Sequence, residues 1–306
     1  MQAPPDPAEN VSSSRLSTRL LPPLFRLLGG LSLPVLHRLG ALGGLLTYAL
    51  SPRFRKRLAE NLALGLGRES SCTERLENAR ETGRMMLELP FVWLRPLDEV
   101  IAHVFDVQGM EHVDKLRAEG CTLIALSPHL GCFEITSLYM GRFMPFSILY
   151  RPPKLAAIEP LLREGRARGQ LTLATADLAG VRQIIKGLRQ GVATGLLPDQ
   201  APGKGEGVWA PFFGRPAYTM TLAARLTEVK NTRVLLFWGE RVAGRGWRLH
   251  IVPPRAPIEG SLEERAHAIN RELEALIRRA PAQYLWSYNR YKVPAGAPQP
   301  TVNGES

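Results

Sequence analysis

The sequence predicts an α/β fold: a mainly parallel, twisted sheet covered by helices, with an N-terminal apolar helical arm at a membrane. From about residue 105, short apolar segments alternate with amphipathic ones, as in strands joined by helical crossovers. Two apolar blocks followed by a cation cluster occupy the first part of the chain. Hydrophobic residues make up 45% of the 306 residues, which suffices for one large core.

The N-terminal region divides into two parts. Residues 1–17 are polar and rich in proline and serine, so we expect them to be disordered. Residues 18–57 form the predicted membrane-associated arm. Its apolar blocks, 27–36 and 39–50, are each shorter than the roughly 18–20 residues of a span. One span through both would bury the intervening arginine at about 2.5–3.5 kcal/mol. A helical hairpin, an interfacial helix, an imperfect span or an ordinary packed amphipathic helix all remain possible.

Positive charge dominates the composition. The formal net charge is +11, which predicts an anionic partner. Arg53, Arg55, Lys56 and Arg57 follow the apolar blocks, where cations are expected to face the anionic cytoplasmic leaflet. Aromatic residues are only 7%, and no motif that reads DNA or RNA is present, so nucleic acid is not favoured as the partner. The three cysteines lack metal spacing, which favours free thiols in a reducing compartment.

Residues 58–293 form the predicted main domain, and residues 294–306 a disordered tail rich in proline and glycine. Residues 90 and 96 are prolines that punctuate the helical region before the sheet. Helices are predicted at 74–89, 113–119, 133–142, 156–168, 178–189, 218–228 and 262–279. Strands are predicted at 105–107, 122–127, 146–150, 171–174, 193–197, 233–238 and 247–252, the last two as a pair.

The turn after the second predicted strand reads Ser-Pro-His129-Leu-Gly131-Cys132-Phe-Glu134. A strand end that leads into a helix is where α/β sheets build their sites. A helix would leave His129 and Glu134 about 140° apart, and a strand would put them on opposite faces. A tight turn can pair them instead. A carboxylate that accepts a hydrogen bond from one imidazole nitrogen makes the other nitrogen a better base, which can deprotonate a hydroxyl. We therefore predict His129 and Glu134 as a catalytic dyad.

Two other interpretations of this turn stay open on spacing alone. His129 could simply close the turn, with Glu134 exposed to solvent. Cys132 could be a nucleophile activated by His129. A small thiol in a tight strand–helix turn more often packs, which disfavours the second interpretation.

Five ordered blocks carry a resemblance to a known family. The chain resembles the lysophospholipid acyltransferase-like superfamily and, within it, the bacterial lipid A biosynthesis acyltransferases of the late lauroyl and myristoyl type. Its first block is the family's His-x4-Asp/Glu motif. The blocks lie at 127–134, 150–152, 165–168, 197–219 and 283–292 and belong to a resemblance over roughly residues 20–292.

The resemblance implies a glycerolipid acyltransferase-like fold and a membrane-surface O-acyltransferase. Such an enzyme moves a fatty acyl chain from acyl carrier protein to a hydroxyl of a phosphorylated lipid A precursor, at the cytoplasmic face of a Gram-negative inner membrane. His129 would deprotonate the acceptor hydroxyl, and Glu134 would orient the imidazole of His129. No metal or resident cofactor is implied, because the thioester of acyl carrier protein is the activated co-substrate. Pro198-Asp199-Gln200 replaces the Glu-Gly-Thr-Arg of glycerolipid enzymes, which argues against a glycerol-phosphate acceptor.

Five further residues are predicted to bind substrate. Arg151, Arg166 and Arg168 are candidates for the phosphates of the acceptor, because guanidinium groups bind phosphate in bidentate fashion. Arg166 and Arg168 also suit a solvated helix end. Asp199 and Gln200 follow a buried-type strand and either hold an arginine, contact the acceptor or form an Asx turn.

The remaining expectations concern partners and competing functions. Trp209, Phe212 and Phe213 line an acyl channel or belong to the core. An acidic carrier protein could dock on cations 53–57 or on the hairpin at 241–248. A related enzyme acting on another lipid is the main competing function. A non-catalytic membrane-binding protein is a second, but it leaves the His129 turn unexplained.

Overall fold

The computed structural model describes residues 20–153, 156–203 and 206–299. The predicted disorder at residues 1–17 lies outside this part of the chain, as do residues 300–306 of the predicted tail.

Seven strands form the central sheet, in the order β1-β9-β8-β2-β5-β3-β4. Every neighbouring pair is parallel except β8 with β9, so β1 and β9 run opposite to the other five. The predicted mainly parallel α/β sheet is therefore confirmed. The strands are β1 Val104–Gln108, β2 Thr122–Leu126, β3 Phe146–Tyr150, β4 Leu171–Thr175, β5 Ala193–Leu196, β8 Thr232–Val242 and β9 Gly246–Val252, with a separate β6–β7 hairpin at Gly207–Phe212 and Arg215–Met220.

Helices cover both faces of the sheet and divide the core in two. One buried cluster joins the sheet to α2, α4 and α7, and the other joins it to α3, α9, α10 and α11. The helices are α1 Leu20–Gly29, α2 Leu33–Leu50, α3 Pro52–Leu66, α4 Cys72–Leu94, α5 Leu97–Ala102, α6 Met110–Ala118, α7 Phe133–Phe143, α8 Glu159–Arg166, α9 Leu178–Arg189, α10 Leu222–Leu226 and α11 Leu262–Arg279.

Local sequence signals account for much of this agreement. The predicted elements at 146–150, 178–189 and 262–279 have the bounds of β3, α9 and α11. Helix α11 begins at a capping box, in which the Ser261 hydroxyl accepts from the Glu264 N–H and the Glu264 carboxylate accepts from the Ser261 N–H. Ser71 and Glu74 start α4 in the same way.

The predicted helix at 218–228 is wrong. Its first residues belong to β7, which pairs with β6, and only Leu222–Leu226 is helical. Tyr218 faces Trp209 across the hairpin, with ring centroids 5.4 Å apart, and its hydroxyl accepts from the Gly207 N–H. These cross-strand contacts outweigh a local helical pattern. Pro90 also does not end its segment, because it lies inside α4.

The N-terminal arm packs on α4. An added Cβ at Gly44 would lie 1.9 Å from the Ala79 carbonyl oxygen, and one at Gly83 would lie 1.9 Å from the Gly40 oxygen. The helix backbones therefore touch, as small residues allow. Within the described residues, α2 is the one helix long and apolar enough to cross a membrane. Helix α3 crosses the predicted boundary at residue 57, and that domain division stays a prediction.

A buried ionic cluster attaches the arm to the sheet. His37 lies between the two apolar blocks of the sequence, yet it is 2% exposed and lies inside the protein. Its Nδ1 accepts from the Gly244 N–H at 2.9 Å, so its Nε2 carries the proton and donates to Glu88 at 3.1 Å. Glu88 also accepts from Trp247 and from Arg241. Burial alone would raise the pKa of Glu88, but Arg241 and His37 hold it at about 2.

Replacing Arg241 with alanine should destabilise the protein by about 3–5 kcal/mol, because the Glu88 carboxylate would stay buried without its main counter-charge. Urea denaturation measures the free energy of unfolding. Arg248→Ala is the matched control, since Arg248 pairs with Asp106 at the surface and its loss should cost about 0–1 kcal/mol. Equal, small losses in both variants would contradict a structural role for the cluster.

Candidate active site

The predicted site residues converge on one edge of the sheet. Strand β2 is parallel to β5, and β5 is parallel to β3, so their carboxyl ends lie side by side. His129 follows β2, Arg151 follows β3, and Asp199 with Gln200 follows β5. The strand-end positions predicted for these residues are therefore confirmed.

His129 has its imidazole held at both nitrogens. The Asp199 Oδ1 lies 2.8 Å from Nδ1, and Asp199 Oδ2 accepts from the His129 backbone N–H at 2.9 Å. A carboxylate can only accept, so Nδ1 carries the proton and Nε2 keeps its lone pair. The Gln200 amide nitrogen lies 3.2 Å from Nε2 and donates to that lone pair. The arrangement gives His129 the tautomer of a general base.

Asp199 is almost wholly buried, at 1% exposure. Burial alone would raise its pKa, but His129 outweighs that effect and the pKa of Asp199 lies below its ordinary value. The carboxylate is therefore available as an anion behind the imidazole. It can balance the positive charge that His129 would gain on accepting a proton.

The predicted contact between Glu134 and His129 is wrong, and Asp199 takes that position instead. Among the described residues, the partner of the Glu134 carboxylate is Arg166, which reaches it through Nε at 3.0 and 3.1 Å and through a second nitrogen. The physical reason is the turn itself. Gly131 adopts φ +60°, and the Cys132 N–H donates to the Gly239 carbonyl, so Glu134 lies in the first turn of α7 and contacts Arg166 of α8.

The Glu134–Arg166 pair joins a buried carboxylate to a partly buried guanidinium. Glu134 is 3% exposed, and the guanidinium of Arg166 lies 5.5 Å from the ring centroid of Trp93. Burial lowers the pKa of Arg166, but Glu134 outweighs it and the pKa ends above its ordinary value. Both residues line the site cavity. Much of the positive charge of Arg166 is therefore already balanced within the protein.

A cavity of about 340 Å³ opens at this edge of the sheet. Five predicted site residues line it: His129, Glu134, Arg151, Arg166 and Gln200. Asp199 lies behind the imidazole. The walls are largely apolar, and the cavity runs along the sheet between the strands and α7. The apolar residues that line it are Ala125, Phe133, Phe146, Ile148, Leu149, Leu196, Leu197, Ala201, Pro202, Met220 and Phe237.

Arg168 does not reach this cavity. Its guanidinium donates to the carbonyl oxygens of Val92 and Arg95 at the end of α4, where helix carbonyls lack partners. Burial lowers its pKa. The predicted role of Arg168 in binding substrate phosphate is therefore not supported by its position. The helix end that Arg168 binds is that of α4, and not the solvated end of its own predicted helix at 156–168.

Two further interpretations are decided by burial. Cys132 is 1% exposed, and burial raises its pKa well above the ordinary value, so it is a packed thiol and not a nucleophile. Phe212 and Phe213 belong to the buried core, and neither they nor Trp209 line the cavity.

The C-terminal segment after α11 supports both halves of the site. The Gly131 N–H donates to the Gln283 carbonyl, and the Leu285 N–H donates to the His129 carbonyl. The Tyr288 hydroxyl accepts from the Ala201 N–H, directly after Gln200. The sequence pointed to this segment only as one of the resembling blocks. Its role as a support depends on contacts across more than 80 residues, which no local pattern encodes.

Comparison with known proteins identifies the family. Residues 20–293 match the profile of the bacterial lipid A biosynthesis acyltransferases. The chain belongs to this family. It is 29% identical to the lipid A biosynthesis lauroyltransferase of Escherichia coli K12, over 87% of this chain and 88% of that protein. It is 28% identical to the lipid A biosynthesis palmitoleoyltransferase of the same strain, over 71% of this chain and 70% of that protein. It is also 28% identical to the lipid A biosynthesis myristoyltransferase of that strain, over 87% of this chain and 81% of that protein.

Membership of the acyltransferase family confirms the resemblance found in the sequence. The matched region includes α1 and α2 as well as the sheet and the C-terminal segment. The relatives transfer different acyl groups, as their names state.

A double-mutant cycle on Glu134 and Arg166 tests whether they act as a pair. Glu134→Gln and Arg166→Met should each slow acyl transfer by about tenfold or more, because either change leaves a buried charge without its partner. The double variant should be no slower than the slower single variant, as measured by initial rates. Multiplicative losses would contradict the pairing and would favour a separate action of Glu134 on His129.

Proposed function

We propose that the protein transfers a fatty acyl chain from acyl carrier protein to a hydroxyl of a lipid A precursor, as a secondary acylation. The observation that carries this proposal is the Asp199–His129 pair, whose imidazole lines a largely apolar cavity. Family membership supports the lipid A pathway and the transferase class. The apolar walls suit a hydrocarbon chain, and a base in the wall of the cavity suits a hydroxyl acceptor.

In the proposed reaction, Nε2 of His129 accepts the proton of the acceptor hydroxyl. The hydroxyl oxygen at the same time attacks the carbonyl carbon of the thioester. Asp199 balances the charge of the imidazolium. The tetrahedral intermediate then collapses, the carbon–sulfur bond breaks, and His129 returns its proton to the leaving thiolate. The thioester brings its own activation, so we propose no metal or resident cofactor.

Four other residues have proposed roles around His129. The Gln200 amide donates a hydrogen bond to Nε2 of His129, and this bond must break when the acceptor hydroxyl binds to Nε2. The amide N–H groups of Gln200 then lie near the developing oxyanion. Arg166 lines the same cavity and supplies a second donor there. Arg151 is exposed at the mouth, where a guanidinium suits the phosphate of the acceptor. Glu134, in this proposal, positions Arg166 and does not contact His129.

A reconstituted assay tests the function. With acyl carrier protein thioester and a lipid A precursor, the wild-type protein should form an acylated product identified by mass spectrometry. His129→Ala should abolish transfer. Asp199→Asn should reduce kcat by about 100-fold or more, because it favours the wrong tautomer and leaves the imidazolium uncompensated. Unchanged transfer by His129→Ala would contradict the mechanism, and transfer only to a different lipid would favour the related-lipid alternative.

We further propose that the protein works at the cytoplasmic face of a Gram-negative inner membrane. The support is a face of exposed leucines on α1 and α2, with the exposed cations Arg53 and Lys56 just beyond it. An apolar face bordered by cations suits an anionic lipid surface. The leucines of this face are Leu20, Leu24, Leu27, Leu39, Leu42, Leu46 and Leu50.

The variant Leu42→Glu/Leu46→Glu should reduce binding to anionic phospholipid vesicles by about tenfold or more, because each leucine contributes about 1.5–3 kcal/mol when buried. Vesicle co-sedimentation measures the effect. Val293→Glu is the control, since Val293 is 54% exposed outside the leucine face and its replacement should leave binding unchanged. Full binding by the double variant would contradict the leucine face as the membrane contact.

A further inference from the structure

Helix α9 carries a cationic stripe that the proposed reaction does not use. Its sequence from Leu178 to Arg189 contains three cations and no acidic residue. The cations are Arg182, Lys186 and Arg189, and all three are exposed. Together with Leu178 they fall within an arc of about 80° around the helix and extend over about 16 Å. A shallow depression of about 410 Å³ is lined by the three cations, Ile185 and Gln190.

The stripe begins beside the mouth of the site. Helix α9 follows β4, and the Ala176 N–H donates to the carbonyl of Tyr150, the residue before Arg151. Leu178, in the first turn, is 75% exposed. The arrangement therefore runs from a cation at the cavity mouth, past an exposed apolar side chain, and along a row of cations. A partner seated on it would place part of its surface next to the cavity.

The stripe also lies away from the proposed membrane contact. The buried side chains of α9, Ile184 and Leu188, belong to the core cluster on one face of the sheet. Those of α2, Leu33 and Leu36, belong to the cluster on the opposite face. A protein bound to lipid through α1 and α2 would therefore present α9 to the cytosol. A soluble partner, and not a bilayer, can reach it there.

The cations of two other surfaces already have contacts, either within the protein or at the proposed membrane face. In the β8–β9 hairpin, Arg241 is buried against Glu88, and Arg248 pairs with Asp106 and Glu240. Arg245 lies over the ring of Phe105, with 3.9 Å between its guanidinium carbon and the ring centroid. The cations at 53–57 border the leucine face. Neither surface therefore suits a soluble acidic partner as well as α9 does.

We infer that α9 is the docking surface for the acidic carrier protein that delivers the acyl thioester, with Leu178 as its apolar contact and Arg182, Lys186 and Arg189 as its ionic contacts. This inference rests on the proposed function, because it takes a carrier-bound thioester as the donor. Charge complementarity of this kind mainly raises the rate of encounter and fixes orientation. It should therefore affect KM for the carrier-bound donor more than kcat.

The test is a charge-reversal variant, Arg182→Glu/Lys186→Glu/Arg189→Glu. It should raise KM for acyl carrier protein thioester by about tenfold or more and leave kcat near that of wild type. Transfer from acyl-pantetheine, which lacks the carrier protein, should be unchanged. Added salt should raise KM of the wild-type protein more than KM of the variant.

The matched control is Lys115→Glu/Arg117→Glu/Arg271→Glu, which makes the same change in net charge. Lys115 and Arg117 are exposed in the last turn of α6, as Lys186 and Arg189 are in α9, and Arg271 is exposed on α11. KM for the carrier-bound donor should stay at the wild-type value in this control. An equal rise in KM would show a general charge effect and overturn the inference.

Other outcomes separate the inference from the proposed function. An unchanged KM in the α9 variant, with wild-type transfer from the carrier intact, overturns the inference alone. Loss of binding to anionic vesicles with KM unchanged would assign the stripe to lipid and also overturn it. Wild-type transfer from acyl-coenzyme A but not from acyl carrier protein contradicts the proposed donor, and the docking surface with it.

Discussion

The parallel pairing of β2 with β5 is the constraint on which the candidate site depends. It brings Asp199 to within 2.8 Å of an imidazole that lies 70 residues away in the chain. If β5 occupied another place in the sheet, the turn after β2 would still expose His129, but without a carboxylate behind it. The sheet order is therefore part of the chemistry, because it selects which acidic side chain meets the histidine.

The turn that carries His129 is held mainly by backbone groups from outside the motif. Gly131 lies so close to Gly239 that an added Cβ would be 2.0 Å from the Gly239 oxygen, and its φ of +60° favours glycine. The C-terminal segment binds the same turn at the Gly131 N–H and the His129 carbonyl. The buried cluster around Glu88 and Arg241 holds the same end of β8, two residues beyond Gly239. Rigid supports of this kind keep a catalytic side chain in one orientation.

The sequence was sufficient for the parts of the molecule that depend on local patterns. Hydrophobic periodicity located α9, α11 and β3, and strand ends located His129, Arg151 and Asp199. It failed where long-range contacts decide. Five-residue spacing suggested Glu134 as the partner of His129, whereas α8 supplies Arg166 to Glu134 and β5 supplies Asp199 to His129. The β6–β7 hairpin and the role of Arg168 were missed for the same reason.

The backbone contact between α2 and α4 has a consequence for how the two substrates meet. In the proposed membrane-bound state, one face of α2 stays committed to α4 through Gly40, Gly44 and Gly83, so only its leucine face is available to lipid. In that proposed state the protein would occupy a single leaflet. Its lipid acceptor would arrive by lateral diffusion within the membrane, in two dimensions. The acyl donor would arrive by diffusion through the cytosol, in three dimensions. The enzyme would then act on one side of the bilayer only, and moving the product to the other side would fall to a separate transporter.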